Sequence, residues 1–167
     1  MIGDGHDLWL NVGCGLTRGP APWTNCDVYA GVKPDVLFDA TQRWPFPDGI
    51  AARMLLSQVL EHLEWPVGVM TCLIEARRVL ADHGELVIFA PDLAGAVEHH
   101  APPDVIHKLR VGEQRWPGDE HLWFCDRHVL VADVRQVFPA AEVVNPRVLA
   151  CDFPFASVDA WSCAIKA

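Results

Sequence analysis

Residues 54–90, MLLSQVLEHLEWPVGVMTCLIEARRVLADHGELVIFA, contain the change of period that decides the fold. MLLSQ at 54–58 is a short apolar run of strand length. From Pro66 onward Val67, Met70, Leu73, Ile74, Arg77 and Leu80 recur at steps of three and four, the spacing of one helix face. Pro66 suits a first helical turn, Arg77 and Arg78 complement the dipole of the last turns, and Gly84 can take the left-handed conformation that closes a helix. ELVIFA at 85–90 returns to a strand. Strand, helix and strand in that order predict a right-handed crossover in a parallel sheet.

Upstream, LWLNVGCG at 8–15 is an apolar run that stops at two glycines around Cys14. A central strand ending in such a turn brings bare backbone to the sheet edge, where a flat or charged ligand can lie. Residues 23–28 and 35–38 read as two further strands, parted by a turn around Gly31 and Pro34. Asp27, Asp39 and Asp92 each stand where an apolar run stops. Aspartate there serves either a ligand or the turn that follows its strand.

Downstream, residues 93–120 carry no clean period and read as an irregular insertion, with Pro102, Pro103, Pro117 and Gly118 as punctuation. Helical spacing returns over 126–136, and 142–150 and 160–165 read as two strands pairing antiparallel at the sheet edge. The 167 residues fit one domain over 1–167. A formal net charge of −9 argues against duplex nucleic acid, whose binding rests on cationic side chains. No uncharged apolar run approaches the roughly 18 residues that span a bilayer, and MIGDGHD is neither basic nor apolar, so no membrane and a cytoplasmic location are expected. Six cysteines without a CxxC pair point to reduced thiols that behave as small hydrophobes.

Taken in order, LWLNVGCG, TNCDV, DVLFDA, WPFPDG, SQVLEHL, EARRVLADHGEL and VIFAPDL resemble segments of the small class I S-adenosylmethionine-dependent methyltransferases, over about residues 8–93. The resemblance implies an α/β fold with a Rossmann-like, mostly parallel sheet and S-adenosyl-L-methionine as cofactor, lying across the carboxyl ends of the strands. Its site would draw on Asn11, Gly13, Cys14, Gly15, Asp27, Val28, Asp39, Ala40, Ser57 and Gln58. Gly13 and Gly15 would admit the methionine and ribose portions, and Asp27 would accept both ribose hydroxyls. Asp39 and the backbone of Ala40 would meet the adenine, and the carbonyls of Ser57 and Gln58 the ammonium group. His62 and Asp92 are the candidate bases, although methyl transfer asks mainly for alignment. In the other reading, Glu61 and His62 cap the following helix while Leu60 and Leu63 pack. The acceptor would be a small molecule or sugar. Its pocket would be lined by residues 93–123, where His99, His100, Arg110 and Arg115 suit a polar or anionic group.

The chain departs from that pattern between Gly15 and Asp27, where eleven residues leave no room for the usual first crossover helix. TRGPAPWT must cross as a loop. One sheet face is then left to Trp9, Trp23 and nearby aromatics, or to a partner subunit in a homo-oligomer. Asn11 stands where an acidic residue is usual, and Asp82 and His83 where lysine-proline is usual. Two other classes compete. One is a non-catalytic cofactor-binding or subunit-interface module of the same fold. The other is a metal site of His121, Cys125 and His128, which would share a face on a continuous helix. A helix starting near Asp126 leaves His121 off it, so no metal ligand is assigned.

Overall fold

The computed structural model describes residues 8–115, 118–156 and 162–167. Its strands are β1 (Leu8–Val12), β2 (Trp23–Asp27), β3 (Val36–Leu37), β4 (Ala51–Ser57), β5 (Leu80–Pro91), β6 (Glu142–Val144) and β7 (Ser162–Lys166). They form one sheet in the order β3-β2-β1-β4-β5-β7-β6. The first five run parallel, β7 enters antiparallel to β5, and β6 pairs antiparallel with β7. The expected α/β architecture and its antiparallel edge pair are present. Strand order reverses between β1 and β4, the place where open sheets of this kind form a crevice.

Helix α1 (Val67–Val79) is the predicted crossover, but its buried face is Val69, Cys72, Leu73, Ala76 and Val79. Val67 and Ile74 point to solvent instead. The small side chains of Cys72 and Ala76 are packed in the core with the sheet residues, which the size of the apolar residues had hidden. The helix also ends earlier than expected, because Leu80 already pairs with Ala51 as the first residue of β5. Gly84 is therefore no helix cap. A Cβ there would stand 2.8 Å from the Ala51 carbonyl oxygen, so glycine permits the close strand pairing.

The segment expected to be irregular carries two helices, α2 (Leu93–Glu98) and α3 (Pro103–Val111). Helix α4 (Arg127–Val137) starts at an Asp126 cap, whose carboxylate accepts from His128 N at 2.7 Å. The strand expected over 142–150 breaks after Val144 and becomes a short helix, α5 (Pro146–Leu149), because Asn145 and Pro146 begin a turn. Residues 160 and 161 of the other expected strand lie outside the described residues. No helix among the described residues is long and apolar enough to cross a membrane.

The pleat sorts the sheet into two unlike faces. Leu10, Cys26, Met54, Leu56, Leu86, Ile88 and Ile165 pack with α1 and α4 in the main core. Trp23, Leu55, Val87, Phe89 and Ala164 form a second cluster with Leu149 and Phe153. No crossover helix lies between β1 and β2, as the short spacing required. Aromatic rings take its place: Trp23 meets Trp9 at 5.4 Å, Phe155 at 5.3 Å and Phe153 at 5.8 Å between centroids. The Arg53 guanidinium lies over Trp9 and Phe153 at 5.0 and 4.9 Å and is held by Glu85 at 2.9 Å.

Candidate functional site

The β1–β2 connection is fixed by buried amides rather than by a helix. Asn25 accepts from Gly19 N at 2.7 Å and from Asn11 Nδ2 at 3.0 Å, and returns its own amide hydrogens to Gly19 O and Asp35, both at 3.0 Å. Asn11 also donates to Thr17 O at 3.0 Å. Arg18 binds Asp35 and Lys33 O, closing the network on the outside. The Asn25 backbone and side chain hold the Asp35 carboxyl below the usual carboxylate range.

Above this network lies a cleft of about 210 Å³ at the carboxyl ends of β1, β2 and β4. Gly13, Cys14, Gly15, Asp27, Val28, Asp39, Ala40, Ser57 and Gln58 all line it. Gly13 has φ +67°, and a Cβ on it would stand 2.5 Å from Val59 Cγ2. At Gly15, with φ +49°, the space beside the backbone is open. Asp27 braces the turn, accepting Gly15 N at Oδ2 and Tyr29 N at Oδ1, both at 2.8 Å. A carboxylate oxygen has more than one acceptor position, so each can still meet a hydroxyl of a diol. On Asp39, Thr41 N and Oγ1 both bond to Oδ1, at 2.8 and 2.7 Å. Burial, and after it the neighbouring Asp27 carboxylate, pushes the Cys14 thiol up to about 11, which suits a packing residue rather than a nucleophile. Gln58 takes φ +56°, a conformation that costs about 1–3 kcal/mol, just where the chain leaves β4 for the cleft.

Two expected residues are placed elsewhere. Asn11 lies beneath the cleft, in the amide network. Asp92 caps α2 through Gly95 N at 3.0 Å, pairs with Arg127 at 2.8 Å, and lines neither this cleft nor the second pocket described below. Glu61 and His62 do not cap α1, whose N-cap is Pro66. They form a single 3-10 turn, Leu60–His62, in which Leu60 and Glu61 are fully buried.

That turn separates the cleft from a second pocket of about 180 Å³ lined by Gln58, Glu61, Lys108, Arg115, Asp119 and His121, among others. Gln58, His62, Arg115 and Asp119 line both. Of the insertion residues expected to line an acceptor pocket, Arg115 lines both pockets, fixed by Asp119 at 3.0 Å. His99, His100 and Arg110 line neither pocket, and Arg110 lies over Phe124. Tyr29 and Asp119 were missed, and His121, expected only beside Cys125 and His128 in a metal site, stands with Glu61 and His62 instead. Tyr29 stands two positions beyond Asp27, a local signal; Asp119 and His121 reach the site only through the fold of the insertion. Burial pushes the His62 and His121 rings below the usual histidine range, so both are neutral near pH 7.

No protein-family model matches the chain, and no curated protein matches it in sequence. Its fold has many solved counterparts. A SAM-dependent methyltransferase from Archaeoglobus fulgidus aligns with TM-score 0.62 at 14% identity, over 98% of this chain and 86% of that one. One from Aquifex aeolicus aligns with TM-score 0.53 at 15% identity, over 96% and 80%. A geranyl diphosphate methyltransferase in complex with SAM aligns with TM-score 0.56 at 11% identity, over 97% and 77%. This chain has the fold of the class I S-adenosylmethionine-dependent methyltransferases.

Proposed function

We propose that the chain binds S-adenosylmethionine in the cleft and transfers its methyl group to a small polar acceptor entering through the second pocket. The observation that carries this reading is convergence. The Gly13–Gly15 turn, the Asp27 carboxylate, Asp39 with Ala40, and the Gln58 turn all open on one cleft at the switch point of the sheet. The cofactor would be held by the backbone at Gly13, Cys14 and Gly15 and by the Asp27 carboxylate. Val28, Asp39 and Ala40 would surround the adenine, and Ser57 and Gln58 would face the ammonium group. When bound, S-adenosylmethionine supplies an electrophilic methyl carbon on a sulfonium. The protein's task is to align that carbon with the acceptor and exclude water. The amide network supports the reading by holding the β1–β2 turn in place without a crossover helix.

Titration calorimetry with S-adenosylmethionine and S-adenosylhomocysteine tests the reading. Binding is expected between about 1 μM and 1 mM, the usual range of enzyme affinities for substrates. Asp27→Ala should weaken it by about 2–3 kcal/mol, roughly 30- to 150-fold. No binding of either compound at millimolar concentration overturns the proposal.

A further inference from the structure

Three side chains between the two pockets stand unusually close. One ligating atom each of Glu61, His62 and His121 lies within 4.8 Å of the other two, and Glu61 Oε1 is 3.9 Å from His62 Nε2. The imidazole rings meet edge to face at 4.9 Å. Their tautomers follow from their partners. His62 Nδ1 lies 3.0 Å from Glu120 O and His121 Nδ1 lies 2.9 Å from Leu109 O. A carbonyl oxygen only accepts, so each Nδ1 carries the hydrogen and each Nε2 keeps its lone pair. An imidazole that gives one N–H to a carbonyl and turns the other nitrogen inward is the arrangement of a metal-ligating histidine.

The backbone around the three is laced together. Leu122 N donates to Glu61 O at 2.9 Å, Trp123 Nε1 to Leu60 O at 2.9 Å, and His121 N to Val111 O at 3.3 Å. Gly112, at φ +75°, lets residues 119–121 approach so closely that a Cβ would collide with the Asp119 carbonyl. Ligand–metal bonds of about 2.1 Å put donors about 3.4 Å apart around a tetrahedral ion. The 3.9 Å between Glu61 Oε1 and His62 Nε2 is wider than that, as is the 4.8 Å bound on the three, so an ion would have to draw the side chains together.

We propose that Glu61, His62 and His121 bind a divalent transition-metal ion, zinc foremost, which activates a hydroxyl of the methyl acceptor. Two neutral imidazoles and one carboxylate suit such an ion and leave coordination positions open toward the second pocket. The inference rests on the methyl-transfer reading for its chemistry, though not for the site. It names the acceptor class as an alcohol or diol, and it assigns His62's lone pair to the ion rather than to the acceptor's proton. The ion lowers the pKa of the bound hydroxyl, as it does that of bound water. The hydroxyl proton passes to solvent, and the oxygen bonds the methyl carbon as the carbon–sulfur bond breaks. The sulfonium thereby becomes a neutral thioether.

The test is Co²⁺ and Zn²⁺ titration of purified, chelator-treated protein, read by calorimetry and by the visible absorption of Co²⁺. Wild type should bind one ion. His121→Ala and the isosteric Glu61→Gln should each weaken binding by at least the roughly 10- to 100-fold that loss of an outer-shell partner costs. His128→Ala, an exposed residue on α4, should leave it unchanged. Circular dichroism and S-adenosylhomocysteine affinity report folding, since His121 lines only the second pocket. If wild type binds neither metal, or folded His121→Ala binds as well as wild type, the metal proposal is overturned. Metal binding lost in His121→Ala, with no cofactor binding in wild type, keeps the metal site and overturns methyl transfer.

Discussion

The face of the sheet that carries Leu10, Met54 and Ile88 is closed by two helices, whereas the face that carries Trp9, Trp23 and Phe89 is closed by aromatic rings and the 146–156 segment. A helix covers a sheet with a row of medium side chains and satisfies its own backbone. Rings cover the same area with few residues and little ordering of backbone, because each buries 150–250 Å² (order of magnitude) on two torsions. The aromatic face therefore concentrates its stabilisation in a few positions. It also leaves the β1–β2 turn to polar bonding, which is why Asn11 and Asn25 lie under the glycines.

The largest effect that could break this comparison is Trp23→Ala, expected to cost about 3–5 kcal/mol in urea denaturation. Leu73→Ala on α1 belongs to the lower-lying range of about 2–5 kcal/mol. If Trp23→Ala costs less than 1 kcal/mol (about the value of a surface change), the rings are not the cover of that face. Next comes Asn25→Ala, which strands the Gly19 amide and carbonyl and should cost about 1–3 kcal/mol. It should also weaken S-adenosylhomocysteine binding in calorimetry, whereas Leu73→Ala should not. Arg53→Met keeps an apolar stem between Trp9 and Phe153 but loses the cation, for about 1 kcal/mol by the same denaturation.

The smallest expected effect comes from pH and lies off both faces. Histidine in the unfolded chain takes up a proton near pH 6.5, while His62 and His121 resist it when folded. Below that pH the unfolded chain binds more protons, so stability falls as pH drops from about 6.5 toward the lowered folded values and then levels. Metal-free denaturation midpoints should slope across that window in wild type and flatten in the His62→Gln, His121→Gln double variant.

Much of this was legible in the sequence, and the parts that were not share a cause. The change of period over 54–90, the glycine turn at 13–15 and the carboxylates of Asp27 and Asp39 are local signals, and the turn and both carboxylates line the cleft. The missing first helix followed from the eleven residues between Gly15 and Asp27. The face that α1 buries did not, because Cys72 and Ala76 are buried for their smallness against the sheet, while Val67 and Ile74 are left out. Nor did the role of Asp92, since a cap and a base read alike until Arg127 arrives from a distant helix. Glu61 and His62 invited chemistry from the start, but His121 joins them only through a loop that Gly112 allows to close.

The position of β7 carries a consequence for how the chain is made. It is the last strand of the sheet to leave the ribosome, yet it belongs between β5 and β6. Until Ser162–Lys166 emerges, the nascent chain presents β5 as an open, apolar edge, the kind that recruits strands from other chains. A chain cut before Ser162 should aggregate on release, and sedimentation of translation products would show it.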